Sequence, residues 1–79
     1  MPRYFFNLYN DVIAIDEEGV ELADLAAARA HGIHETRTMA AESARKGHLN
    51  VHHRIDIADE TGTVVDTITF GDAVTINGL

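Results

Sequence analysis

Asp24-Leu25-Ala26-Ala27-Ala28-Arg29-Ala30-His31-Gly32-Ile33-His34-Glu35-Thr36-Arg37-Thr38-Met39-Ala40-Ala41-Glu42-Ser43-Ala44-Arg45-Lys46-Gly47 reads as one long helix. Asp24 offers a carboxylate to an orphan amide of the first turn. Arg45 and Lys46 suit the negative end of the helix dipole, and Gly47 suits the left-handed residue beyond it. At about 100° per residue, Leu25, Ala28, Gly32, Ile33, Thr36, Met39, Ala40 and Ser43 form one stripe, the face expected to lie on a sheet. Ala28, Gly32 and Thr36 are small, so the helix axis is expected to approach that sheet closely. His31, His34, Thr38, Glu42 and Arg45, flanked by Glu35 and Arg37, are expected to face water.

Working outward, both flanks read as strands. Tyr4 to Tyr9 alternates Tyr4, Phe6 and Leu8 with Phe5, Asn7 and Tyr9, in the aromatic-rich composition that a half-buried strand favours. Asn10-Asp11 is a turn and Val12-Ile13-Ala14-Ile15 the returning strand. Asp16-Glu17-Glu18-Gly19 breaks the run, and Val20-Glu21-Leu22 leads into the helix. On the far side Val51, His53, Ile55 and Ile57 alternate with His52, Arg54, Asp56 and Ala58. Asp59-Glu60-Thr61-Gly62 is a hairpin turn, and Thr63 to Phe70 is a β-branched return strand. The tail from Gly71 to Ile76 fits either a helical turn or an edge strand. The expectation is a single α+β domain over residues 1–79, in the order strand-strand-helix-strand-strand. Two hairpins form an antiparallel sheet, and the one long helix covers one face in a two-layer arrangement.

With 79 residues the chain has room for a thin core only, so self-association is expected to cover residual apolar surface. The absence of cysteine excludes disulfides, thiolate metal sites and cysteine nucleophiles. No segment approaches the apolar length of a membrane span and the N-terminus carries no cleavable leader pattern, so a soluble cytoplasmic protein without membrane contact is expected. The formal net charge is −7, and the acidity sits in strands and turns. Such a surface repels phosphate backbones, and no nucleic-acid partner is expected.

The opening Met1-Pro2-Arg3-Tyr4-Phe5-Phe6, the segment Asp16-Glu17-Glu18-Gly19-Val20-Glu21-Leu22, the following Asp24-Leu25 with Ala27-Ala28-Arg29, and the closing Phe70-Gly71-Asp72-Ala73-Val74 together resemble a family of small bacterial domains of unknown function. The resemblance spans most of the chain and implies a stand-alone cytoplasmic domain, with no activity, cofactor or catalytic residue attached. A looser likeness is to the partial ribonuclease-H-like domain of HicB-type antitoxins, where a strand pair runs into a helix through a Leu-Pro-Asp-Leu-like segment. Here that segment is Glu21-Leu22-Ala23-Asp24-Leu25, without the proline.

Candidate chemistry is sparse. His31, His34 and Glu35 on the helix, with His48, His52 and His53 near its far end, are the residues a divalent ion such as zinc or nickel would use. Their spacing matches no defined motif, and ordinary solvated histidines account for them better. Protonation of all five histidines would carry the net charge from −7 to −2, which is the basis of a pH-responsive alternative. Asp11, Asp16, Glu17, Glu18, Glu21 and Asp24 lack the alternating ligand pattern of a calcium loop and read as a solvated turn face. Ser43, the only serine, lies mid-helix, and the glycines form neither a P-loop nor a dinucleotide fingerprint, so no enzyme activity, catalytic residue or cofactor is expected. Arg29 in the apolar stripe and Asp66 on a strand face with Val64, Ile68 and Phe70 are expected to pair, because a lone buried charge is untenable; a bulge at Val64-Val65 would instead turn Asp66 outward. Phe5 and Tyr9, on the face the helix leaves open, are the expected interface. The reading is a non-catalytic interaction or regulatory module that binds itself or another protein. The alternatives are a histidine-based metal or pH-responsive binder and an antitoxin-like partner.

Overall fold

The computed structural model describes residues 1–9, 13–47 and 53–73. Five strands and two helices follow in the order β1 (Arg3–Tyr9), β2 (Ile13–Ala14), β3 (Val20–Glu21), α1 (Leu25–Arg45), β4 (Arg54–Ala58), β5 (Val64–Thr69) and α2 (Phe70–Ala73). The fold is α+β: an antiparallel sheet in the order β2-β1-β4-β5, with β3 also paired to β1, and α1 across one face. The two hairpins meet through β1 and β4, where Phe5 to Tyr9 pair with Ala58 to Arg54. Among the described residues, no helix is long and apolar enough to cross a membrane.

The ends of α1 follow from local chemistry. Asp24 Oδ1 accepts from the Ala27 amide at 2.8 Å, and Gly47 takes φ +80 while its amide donates to the Ala44 carbonyl at 2.9 Å. Along its length three rows run at four-residue spacing. The central row, Ala28, Gly32, Thr36 and Ala40, is buried. One flank carries His31, Glu35 and Met39; the other carries Arg29, Ile33 and Arg37. The core beneath the central row is Tyr4, Ile57, Ile68 and Ala73, with Phe6, Leu22 and Ile33 packed against it. Thr36 is satisfied inside this core by donating to the Gly32 carbonyl at 2.7 Å.

Four sequence expectations need correction. Leu25 has the angle of the buried stripe but is 41% exposed, because burial begins only at Ala28, one turn further along. His31 is not on the wet face: it reaches from its flank onto Phe6, with ring centroids 4.8 Å apart. Arg37 is exposed as expected, and its Nε also donates to the Ala73 carbonyl at 2.7 Å, which ties α1 to the end of α2. The lead-in Val20–Glu21 is a strand, and Phe70 opens a helical turn instead of closing β5. That turn is set by a capping box: the Asp72 amide donates to Thr69 Oγ1 at 3.0 Å, and the Thr69 amide donates back to Asp72 Oδ2 at 3.2 Å. The expected turn at 10–11, the strand residues 51–52 and the tail from 74 lie outside the described residues.

A bulge does occur in β5, but it does not carry Asp66 away from the helix. The register passes from Ile57↔Asp66 to Ala58↔Val64, leaving Val65 as the extra residue. Asp66 therefore stays opposite Ile57 on the helix side, where its Oδ2 accepts from Arg29 Nη1 at 2.7 Å. Arg29 remains partly exposed, so this pair is expected to contribute only about 0.5–1 kcal/mol of coupling. A double-mutant cycle with Arg29→Met and Asp66→Asn, read by urea unfolding, checks it; coupling near zero would leave the pair with no part in stability.

Candidate functional site

The edge next to α1 is built around one carboxylate. Across β1, the register with β2 is Leu8↔Ala14, and with β3 it is Tyr4↔Val20, so two residues are in excess between the two short strands. Asp16 fills the gap. Its Oδ2 accepts from the Phe6 amide at 3.1 Å, in place of a ladder carbonyl, and its Oδ1 accepts from the Glu18 and Gly19 amides at 3.1 and 3.0 Å. Asn7 Oδ1 in turn accepts from the Asp16 amide at 3.0 Å. Burial pushes the Asp16 carboxyl up, but the amides of Gly19, Phe6 and Glu18 and the nearby Arg3 charge outweigh it and hold it below the ordinary value. Gly19 completes the turn at φ +70, where a Cβ would stand 2.8 Å from Arg3 Cγ and 2.9 Å from the Tyr4 carbonyl oxygen. Only glycine fits such a site. Arg3 closes the arrangement by donating from Nη1 to the Glu18 carbonyl at 2.8 Å and from Nη2 to Glu21 Oε1 at 3.0 Å.

Between this edge and the flank of α1 lies a cleft of ≈ 310 Å³, lined by Phe6, Leu8, Asp16, Val20, His31, Glu35, Met39 and Ile55. Its walls come from the helix-facing side of β1 and β4, from Val20, and from the His31, Glu35, Met39 row. Its polar groups are Asp16, Glu35 and His31, whose Nε2 lies 3.8 Å from Glu35 Oε1. The helical pattern does not point to the cleft, because it turns His31 and Glu35 toward water; Glu35 is exposed as expected, whereas His31 is half-buried. The signal that could have found them is the i, i+4, i+8 row that they form with Met39, a partly apolar ridge beside the small-residue stripe.

Among the described residues, no helix covers the opposite face of the sheet. Strand alternation places Phe5, Asn7 and Tyr9 there, together with Arg54, Asp56 and Ala58 on β4. Arg54 lies over the Tyr9 ring at 4.4 Å and donates from Nε to Asp56 Oδ1 at 3.2 Å; Thr67 Oγ1 donates to the same oxygen at 3.0 Å. At the two edges of this face Ile13, opposite Tyr9, and Val64, opposite Ala58, are 67% and 52% exposed.

Among the described residues, the metal candidates are not gathered into one site. His31 and Glu35 share the cleft, His34 is exposed on the outer face of α1, and His53 is buried with its ring edge-on to Phe70 at 5.4 Å. His48 and His52 lie outside the described residues. Among the described residues, no group of three or more histidines and carboxylates is placed to hold a metal ion.

No curated protein and no solved structure matches the chain. A family model does: the one described as a domain of unknown function, DUF6894, matches residues 3–71, and the chain belongs to that family. The match takes in the Asp16–Gly19 edge and both walls of the cleft.

Proposed function

We propose that this member of the DUF6894 family is a non-catalytic interaction module that pairs with a second copy of itself through the face of its sheet opposite α1. One observation carries the reading. The patch spanning Phe5, Tyr9, Ile13 and Val64 is balanced in charge, with Arg54 and Asp56 side by side on β4 and Arg3 paired to Glu21 at its end, whereas the chain as a whole carries a charge of −7. Two acidic copies repel one another across most of their surfaces. A charge-balanced patch with apolar edges is where that repulsion is least and where apolar burial gains most, and a two-fold axis through β4 would set Arg54 of one copy near Asp56 of the other. A thin two-layer core also leaves one sheet face in need of cover.

The test is mass against concentration by light scattering. The expected result is a concentration-dependent rise toward twice the 8.6 kDa chain mass. Ile13→Lys, on an exposed edge residue, is expected to weaken association by about tenfold, roughly 1.4 kcal/mol, without lowering the thermal midpoint. A single-chain mass at every concentration would overturn the reading.

A further inference from the structure

The cleft lies on the other side of the sheet from the proposed pairing face and is independent of it. Five of its lining side chains, Phe6, Leu8, Val20, Met39 and Ile55, are apolar, and both of its charged groups, Asp16 and Glu35, are carboxylates. The two are unlike in availability. Asp16 spends both oxygens on backbone amides. Among the described residues Glu35 meets the His31 ring, at 3.8 Å, and about half of its side chain is exposed.

The cations of α1 are turned elsewhere. Arg29 is engaged with Asp66 and Arg37 with the Ala73 carbonyl, both on the opposite flank of the helix, and Arg45 in the last turn with Glu42. Among its described lining residues the cleft thus presents apolar walls with two carboxylates and, as its one basic group, the His31 imidazole, with no lysine or arginine. A carboxylate or phosphate ligand would be repelled, and a neutral apolar ligand would desolvate Glu35 without offering it a donor. An ammonium group satisfies both conditions, because it is attracted by the carboxylates and donates to Glu35 while its carbon body covers Phe6, Val20 and Met39.

We infer that the cleft between α1 and the β1–β3 edge binds a small organic ammonium ion, one charged nitrogen on an aromatic or branched aliphatic body. Its ≈ 310 Å³ stands at the small end of the roughly 300–1,000 Å³ typical of ligand sites, enough for a single ring with a short chain. Glu35 is the residue that orients the nitrogen. Asp16 contributes its charge while holding the wall in place.

Three probes with one phenyl ring and matched chain length separate the effects: phenethylammonium, phenethyl alcohol and hydrocinnamate, titrated into the full chain at low salt and followed by amide proton–nitrogen correlation spectra. The ammonium is expected to shift the amides of Phe6, Val20, Glu35 and Met39, to bind about tenfold more tightly than the carboxylate, and to weaken as salt is added. Glu35→Gln, on an exposed helix position, is expected to retain the native spectrum and to remove the preference for the ammonium over the alcohol. Three outcomes would overturn the inference: equal affinity for ammonium and carboxylate, shifts confined to the Tyr9–Arg54 face, or no shifts at about 10 mM ligand, a concentration that detects even millimolar binding. Each of these is independent of whether the chain dimerises.

Discussion

Gly32→Ala is expected to lower the unfolding free energy by about 2 kcal/mol, although alanine is the better helix former by about 1 kcal/mol. The reason is the distance between helix and sheet. A Cβ on Gly32 would stand 2.6 Å from Ile68 Cδ1 and 3.3 Å from Ile57 Cδ1. Both isoleucines are fully buried, so neither methyl can swing into solvent. Relief requires either an off-rotamer Ile68 or a lift of α1 from the sheet, which would loosen the whole central row. Ile68→Val removes the offending methyl and by itself should cost about 1 kcal/mol. Combined with Gly32→Ala, the loss should fall short of the sum by about 1 kcal/mol, as expected of groups in contact. Urea unfolding of the four proteins checks this, and strict additivity would remove the close approach as the cause. Gly32→Leu should leave the chain unfolded, since a domain of this size holds only about 4–12 kcal/mol in total.

The second large effect is expected at Asp16. Asp16→Ala strands the amides of Phe6, Glu18 and Gly19 and leaves the two-residue excess between β2 and β3 without a filler; the loss should be about 2–3 kcal/mol. The same carboxylate makes stability depend on acidity. Its folded value lies below the ordinary 3.8, so the ionised form is the one that folding favours. The stabilisation is therefore complete above pH 3.8 and is lost as pH falls through the lower folded value. Asp59, held down chiefly by the Thr61 hydroxyl, and Asp72, held down chiefly by Thr69, act in the same direction. Urea midpoints measured from neutrality into this acid range should fall for the native chain and fall less steeply for Asp16→Ala. Equal acid slopes in the two proteins would mean that Asp16 is not the group that binds the proton.

Much of the chain's chemistry reads locally. The Asp24 cap, the Gly47 terminus and the period-two alternation of β1 and β4 involve residues a few positions apart, so their physics is complete within a short window. Asp16-Glu17-Glu18-Gly19 was legible as a break. Its function as a substitute ladder partner was not, because the Phe6 amide it serves is ten residues away and the need arises only from the register slip between Leu8↔Ala14 and Tyr4↔Val20. The Arg29–Asp66 pair was foreseeable from the place of both residues on faces shared with apolar neighbours, although Arg29 stays exposed; that the β5 bulge passes through Val65 and leaves Asp66 facing the helix was a matter of strand pairing.

The candidate site divides in the same way. Phe5 and Tyr9 fall on the open face by alternation alone, once a helix is assigned to the other side. The cleft does not follow from periodicity. An amphipathic stripe states which third of a helix is buried and leaves open how far each flank leans over its neighbours.

The sequence by itself therefore determined the elements: a capped helix, two hairpins and an α+β class, because local hydrogen bonding and apolar period suffice for these. The tertiary structure alone decided the roll of α1 on the sheet, through the close seat of Gly32 on Ile57 and Ile68 and the anchoring of Arg29 and Arg37 on the far flank. That roll brings His31, Glu35 and Met39 over the β1 edge and opens the cleft beneath them. Steric contact between segments distant in sequence sets it, and no spacing within the helix encodes that contact.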